Sequence, residues 1–518
     1  MSVGSCICAH KWAVATSRLS RVGMGAGMKE APMNAPVTDR ALTPGKDQAF
    51  AELMARRGLG DPPAGEVTIT GSDPFWRTPI RAGETAAAVL GAIGVASNDI
   101  WESRTGRRQK VSVALRHAAA TLRTVDYSQG QRADGSWETL PIPDHMKAMI
   151  AVTQPWPTRD GAYFLPHLNL PHLARRVLGV LRCEFNPASV REAVSRWNAD
   201  DLEDAIAAAG ACGGRIRSAE EWLAHPQGRY LAARPILDIR RIGDGPPLAL
   251  PPGPRPLSGV RVLDFTRILA GPICGRTLAE HGAEVLMVTA PHLPQTPEHV
   301  RDTSHGKRSC FLDFSDPAQL ERAKQLALTS DVVVGGYRPG KLESWGLNPE
   351  EIAASKPGHV HVTISCYGSG GPFADRAGWE QVGQAVTGIA HAHGKAVGDG
   401  SPRLIFATVC DYLTGYLGGY GALLALGKRM REGGSWHVHV SLCQSAMLLL
   451  RQGLMDGFEN APETLTEDEL ATLRVVTDTE AYGRIRTLGP ALRMSETPVH
   501  WATPTPTLGG DKPEWLPR

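Results

Sequence analysis

The stretch Leu257-Ser-Gly-Val-Arg-Val-Leu-Asp264-Phe-Thr-Arg267-Ile-Leu-Ala270-Gly-Pro272-Ile-Cys-Gly-Arg-Thr-Leu-Ala-Glu-His281-Gly-Ala-Glu-Val285-Leu-Met-Val288 decides the architecture. Residues 260–265 form a short apolar run, which reads as a buried strand. Pro272 stands where a first helical turn tolerates a residue without an N–H. The helix it opens runs to His281-Gly282, and residues 285–288 are a second strand. The rhythm continues with a helix over 316–329, a strand over 332–334, a helix over 349–354 and a strand over 359–365. Strands alternating with helices in this way predict an α/β fold, a doubly wound parallel sheet. No G-x-G-x-x-G follows the first strand, which speaks against a dinucleotide site.

Downstream, Cys410-Asp411-Tyr-Leu-Thr-Gly415 opens a helix that carries Gly415, Gly418, Gly419 and Gly421. Each glycine costs about 1 kcal/mol against alanine inside a helix. Four of them make sense where another element approaches the backbone closely. Asp411 falls at the helix start, where free N–H groups and the helix dipole favour a carboxylate. Two readings are open for it from the residues alone: a plain cap, and a functional carboxylate.

Upstream, residues 81–124 read as helix, turn, short strand and helix. A shift of 327 places Val111, Val113 and Leu115 on Val438, Val440 and Leu442, Gly106 on Gly433, and Glu84 on Asp411. This suggests an internal duplication, with residues 61–135 a diverged partial copy of the later helix–strand–helix unit. Residues 140–245 read as a smaller α+β domain, with a turn at Asp160-Gly161 and helices around 171–182, 187–197 and 199–209. Ser218 and Glu221 have the spacing of a capping box. A Pro- and Gly-rich linker follows over 243–256. Residues 257–450 are the large domain, and 451–518 read as a tail wrapping the surface. Residues 1–60 read as a poorly ordered extension, with Met24, Met28 and Met33 as alternative starts.

The 518 residues are 42% hydrophobic and 21% charged, with a net charge of +2. That balance gives no sign of a nucleic-acid partner. No apolar run reaches the roughly 18 residues of a membrane span. Nine scattered cysteines argue for a reducing, cytoplasmic setting rather than a disulfide framework. His391-Ala-His393, without nearby acids or cysteines, reads as a polar loop, and no metal is expected.

Five further motifs then fall in order. They are Gly306-Lys307-Arg-Ser, Tyr337-Arg338-Pro-Gly, Ile364-Ser-Cys-Tyr367-Gly368, Gly370-Gly-Pro and Cys410-Asp411-Tyr-Leu-Thr-Gly. Together with the opening stretch, this series resembles the class III coenzyme A transferases, the carnitine/bile-acid CoA-transferase family. The resemblance implies an enzyme that moves CoA from an acyl-CoA donor to a carboxylic acid acceptor. It implies Asp411 as nucleophile, through an aspartyl anhydride and an aspartyl-CoA thioester. It places Lys307, Gly336, Tyr337, Arg338, Tyr367 and Gly368 against CoA. CoA is then a substrate, no tightly bound cofactor is expected, and the chain pairs as a homodimer. Residues 155–240 resemble the family's small domain, which here precedes the catalytic half, so a fused or permuted two-copy chain is expected.

With an ordinary carboxylate pKa near 4, Asp411 is expected to be ionised, and the Gly368–Gly371 backbone is a candidate set of oxyanion donors. Leu269, Ala290 and Ser344 depart from the polar residue and the arginines of formyl-CoA transferases. Two alternatives are an α-methylacyl-CoA racemase and a non-catalytic acyl-CoA-binding subunit. Trp379 stands where racemases carry a histidine, which disfavours the first.

Overall fold

The computed structural model describes residues 46–139, 142–406 and 408–517. Its centre is a seven-stranded sheet. In spatial order the strands are Lys307–Phe311, Glu284–Thr289, Arg261–Asp264, Val332–Gly335, Val360–Ser365, Ser435–Ser441 and Asp238–Gly243. The first six run parallel, and the last is antiparallel to Ser435–Ser441. By chain order the parallel strands read 3-2-1-4-5-6, so the order reverses between Arg261–Asp264 and Val332–Gly335. A crevice opens outside the carboxyl ends of the strands at such a reversal. Val332, Val333 and Val334 are wholly buried, as a strand covered on both faces requires.

The expected strands and helices of the large domain are all present. The edge strand Asp238–Gly243 is a departure. It lies inside the segment read as the small domain, yet it extends the large sheet. Its inward residues are only half-buried, so its apolar signal is weak.

The helix Val409–Glu432 runs behind the sheet and is buried on all sides along most of its length. Its glycines have the expected cause. A Cβ on Gly415 would stand 2.5 Å from the Ala270 carbonyl and from Ile273 Cβ, and one on Gly419 would stand 2.8 Å from Thr277 Cγ2. The helix Ala270–Glu280 therefore packs backbone to backbone against it.

The segment read as the small domain has its expected helices, at Pro171–Leu181, Pro187–Val194 and Ala199–Ala208. The capping box of Ser218 and Glu221 forms. His391 and His393 sit on a helix, Ile389–Val397, not on a loop. Within the 1–60 extension, Lys46–Arg57 is a helix whose Ala49 and Leu53 are wholly buried. The Leu53 carbonyl accepts from Tyr420 Oη at 2.6 Å. Apolar anchoring thus orders a segment that its polar composition disguises. Residues 1–45 lie outside the described residues.

A second, smaller sheet repeats one end of the first. Val67–Thr70 pairs parallel with Val111–Ala114, which pairs antiparallel with Leu492–Met494. In the large sheet, Val360–Ser365 pairs parallel with Ser435–Ser441, itself antiparallel to Asp238–Gly243. Glu84 is the third residue of the 24-residue helix Ala82–Thr105, and Asp411 the third of the 24-residue helix Val409–Glu432. The stretch 451–518 does more than wrap the surface. It adds Arg474–Thr479 and Gly483–Leu488 to a sheet with Gln129–Gln131, besides supplying Leu492–Met494. No described helix is long and apolar enough to cross a membrane.

Candidate active site

At the point where the strand order reverses lies a cavity of about 710 Å³. Phe265, Thr266 and Arg267 reach it from the end of the first strand, and Gly336, Tyr337 and Arg338 from the end of the fourth. Ile268, a β-branched residue, has a φ of 76° here. That is an outlier for its type, held at the turn that delivers Arg267 to one side and the start of the Ala270–Glu280 helix to the other. Gly271 is required there, because a Cβ would stand 2.3 Å from Thr266 Cβ.

Asp411 is the one carboxylate among the described residues that line this cavity. It comes from the first turn of the Val409–Glu432 helix. Glu380, at the start of the Glu380–Thr387 helix, caps that turn from outside. Its Oε2 accepts from the Asp411 backbone N–H at 2.5 Å, and its Oε1 from the Cys410 N–H at 3.1 Å and from Gln384 Nε2 at 2.8 Å. Gln384 Oε1 in turn accepts from the Ile405 N–H, fixing the chain that leads to Asp411.

Both carboxyls lie above their ordinary range. Burial is the larger cause for each, and the Glu380 charge adds to it at Asp411. The first-turn position of Asp411 pulls the other way by about 1 kcal/mol, which is less than one pKa unit. Three donors favour the ionised form of Glu380. Asp411 is therefore the member of the pair that holds a proton longer. This corrects the expectation of a carboxylate ionised by default. Glu380 was not singled out from the sequence. Its only sign there was an acid opening a helix after Gly378-Trp379, and its role depends on a backbone about thirty residues away.

The remaining expected residues divide. Gly336, Tyr337 and Arg338 line the cavity with Asp411. Lys307 does not. Its side chain is wholly buried, with Nζ 2.8 Å from Asp264 Oδ2 and 2.7 Å from the Pro272 carbonyl. A lysine buried beside a carboxylate has its stabilising partner within the fold, and this one braces the first strand against the Ala270–Glu280 helix. Tyr367 and Gly368 lie behind the wall, under Phe373 and Leu231. The Gly368–Gly371 loop is clasped by Gln227, which donates to the Tyr367 and Gly370 carbonyls at 2.7 and 2.9 Å, and its residues are not among those that line the cavity.

Leu269 lines the cavity, as does Trp379, whose ring stacks on His167 at 4.9 Å. Ala290 lines a neighbouring cavity of about 350 Å³ that shares Phe265, Tyr337 and Lys341 with the first. Ser344 is exposed. The opposite wall comes from the segment read as the small domain, through Leu170, His172, Leu173 and Arg176. One chain thus supplies both sides of the site.

Residues 257–469 match the family described as CoA-transferase family III. The chain is 33% identical over 273 residues to an acyl-CoA transferase of Gibberella moniliformis, covering 50% of this chain and 48% of that one. It is 34% identical over 209 residues to succinyl-CoA–D-citramalate CoA-transferase of Chloroflexus aurantiacus, covering 38% and 52%. It is 32% identical over 230 residues to a probable fatty acyl-CoA transferase of Mycobacterium tuberculosis, covering 42% and 58%. The chain spans about half the length of these relatives. Over residues 257–469, this chain is similar to CoA-transferase family III.

Proposed function

We propose that the protein transfers coenzyme A from an acyl-CoA to a carboxylic acid, with Asp411 as the covalent nucleophile. One observation carries the reading: a single buried carboxylate faces a cavity whose other charged side chains are Arg176, Arg267, Arg338, Lys341 and Arg376. Such a lining suits a polyanionic carrier with a reactive acyl end.

In this reading an ionised Asp411 oxygen attacks the thioester carbon, the C–S bond breaks, and CoA thiolate leaves a mixed anhydride. The thiolate then attacks the Asp411 acyl carbon, releasing the donor acid and forming aspartyl-CoA. The acceptor carboxylate displaces the thiolate to give a second anhydride. Attack of the thiolate on the acceptor acyl carbon restores Asp411 and yields the new acyl-CoA. Each step exchanges comparable leaving groups, which is how covalent catalysis divides a hard exchange. The N–H groups of Ala270 and Gly271, in a first helical turn where no i−4 carbonyl takes them, are the donors offered to the oxyanion. Glu380 holds the backbone of Asp411 and sets when it ionises.

The test is a donor–acceptor screen read by mass spectrometry of the CoA esters, with hydroxylamine added to trap the intermediate. An acyl hydroxamate mark on Asp411 and a new CoA ester are expected. Wild-type protein that turns over no donor with any acid would reject the reading. A homodimer is part of the proposal, and sedimentation velocity showing only monomer at micromolar concentration would remove it.

A further inference from the structure

The small-domain wall of the cavity holds an arrangement that is costly without a ligand. Arg176 Nη1 and Arg338 Nη2 both donate to one carbonyl, that of Gly210, at 2.9 and 3.1 Å. Two guanidiniums therefore share one small acceptor from opposite sides of the cleft. Arg176 rises from the Pro171–Leu181 helix and Arg338 from the turn after the fourth parallel strand. Arg267 lines the same cavity and donates to the Pro294 carbonyl at 2.9 Å. Among the described residues, none of these three arginines forms an ion pair. Other arginines of the chain do so regularly, as Arg376 does with Asp204 at 2.7 Å on the same cavity. His172, in their midst, has its pKa lowered by burial and then by Arg176, Arg338, Arg175 and Arg267. Like charges gathered in this way repel, and a bound anion relieves them through charge-assisted bonds to planar guanidinium forks.

We propose that Arg176 and His172 of the small domain, together with Arg267 and Arg338, clamp the phosphate groups of the coenzyme A carrier. This rests on the proposed CoA-transfer reading and locates its anionic anchor. Two features favour phosphate over the carboxylate of the acceptor acid. Several cations suit a ligand bearing roughly four negative charges in its phosphates. The causes of the raised Asp411 pKa, burial and Glu380, also include no cation. In this proposal the clamp holds the phosphate end of a long carrier while its thioester meets Asp411.

The experiment compares acyl-CoA with the matching acyl-pantetheine, which lacks every phosphate, in wild type, Arg176→Ala and Arg338→Ala. CoA binding is followed in parallel by calorimetry. In the variants the ratio of kcat/KM for acyl-CoA to that for acyl-pantetheine is expected to fall at least about tenfold. The CoA Kd should rise by a similar factor, and the wild-type Kd should weaken with added salt. An unchanged ratio with unchanged CoA affinity would overturn the clamp and leave CoA transfer standing. A KM that rises for the acceptor acid alone would also overturn it, assigning the cations to that carboxylate. A wild-type protein that binds no CoA would overturn both readings. Should Arg176→Ala unfold, Arg176→Gln keeps the stem and removes the charge for the same comparison.

Discussion

Replacing Asp411 by Asn leaves its shape and removes its nucleophilic oxygen. Exchange is expected to drop by about 10³-fold or more, with an unchanged far-UV spectrum and no hydroxylamine trapping. The pH dependence follows from its partner. Asp411 must lose a proton that burial and Glu380 help it keep, so the rate of loading by acyl-CoA should rise with pH and fail as pH drops. Glu380→Gln takes away the negative neighbour, so the acidic limb should move to lower pH. It also removes charged acceptors of the Cys410 and Asp411 N–H groups. Bonds of that kind are worth about 1.5–3 kcal/mol, so kcat should fall about 10- to 100-fold. A pH–rate profile of both enzymes checks the pair. An unmoved limb would mean that Glu380 does not set the ionisation. Asp411 could be picked out from the sequence because its motif is contiguous. Glu380 could not, since its hydrogen bonds join segments that only the fold brings together, and the pairing of Lys307 with Asp264 was hidden for the same reason.

At the scale of elements, the glycines of the Val409–Glu432 helix make opposite predictions. Gly415→Ala gains about 1 kcal/mol of helix propensity but drives a methyl against the Ala270 carbonyl and Ile273. Overpacking of that kind costs about 1–3 kcal/mol, so the variant should unfold at lower denaturant. It should also lose activity, because the Ala270–Glu280 helix must retreat from Asp411. A Cβ on Gly427 meets only the flexible end of Arg431, at 3.0 Å. Gly427→Ala should therefore stabilise by about 0.5–1 kcal/mol. Equal urea midpoints for the two variants would refute the close-packing account. These helices were legible because glycine spacing and apolar periodicity are local. The edge strand Asp238–Gly243 was not, because its pairing with Ser435–Ser441 spans almost two hundred residues and its own pattern is mixed.

At the scale of the whole molecule, the two-copy arrangement is proposed from paired features. Glu84 repeats the position of Asp411, and the cap repeats too. The Glu84 N–H donates to Asp73 Oδ2 at 2.9 Å, as the Asp411 N–H does to Glu380. Burial raises the Asp73 pKa to about 6. Glu84, however, is ion-paired to Arg81 at 3.1 Å and does not line the Asp411 cavity. Glu84→Gln should cost about twofold in activity at most, far below the loss for Asp411→Asn. An equal loss in both variants would make the first copy a working site. The α/β class and most large-domain elements were readable from the chain. The return of residues 474–494 to strands near the start was not, because strand pairing across the length of a chain leaves no local mark.

That return has a consequence for how the protein is made. Val111–Ala114 emerges early, but the strand that covers its edge, Leu492–Met494, comes about 380 residues later. At about 5–20 residues per second, the ribosome leaves that edge bare for roughly 20 to 75 seconds. An uncovered strand edge is a template for pairing with a neighbour. The nascent chain should therefore engage holdase chaperones until Leu492–Met494 is synthesised, and refolding yield in vitro should fall steeply as protein concentration rises.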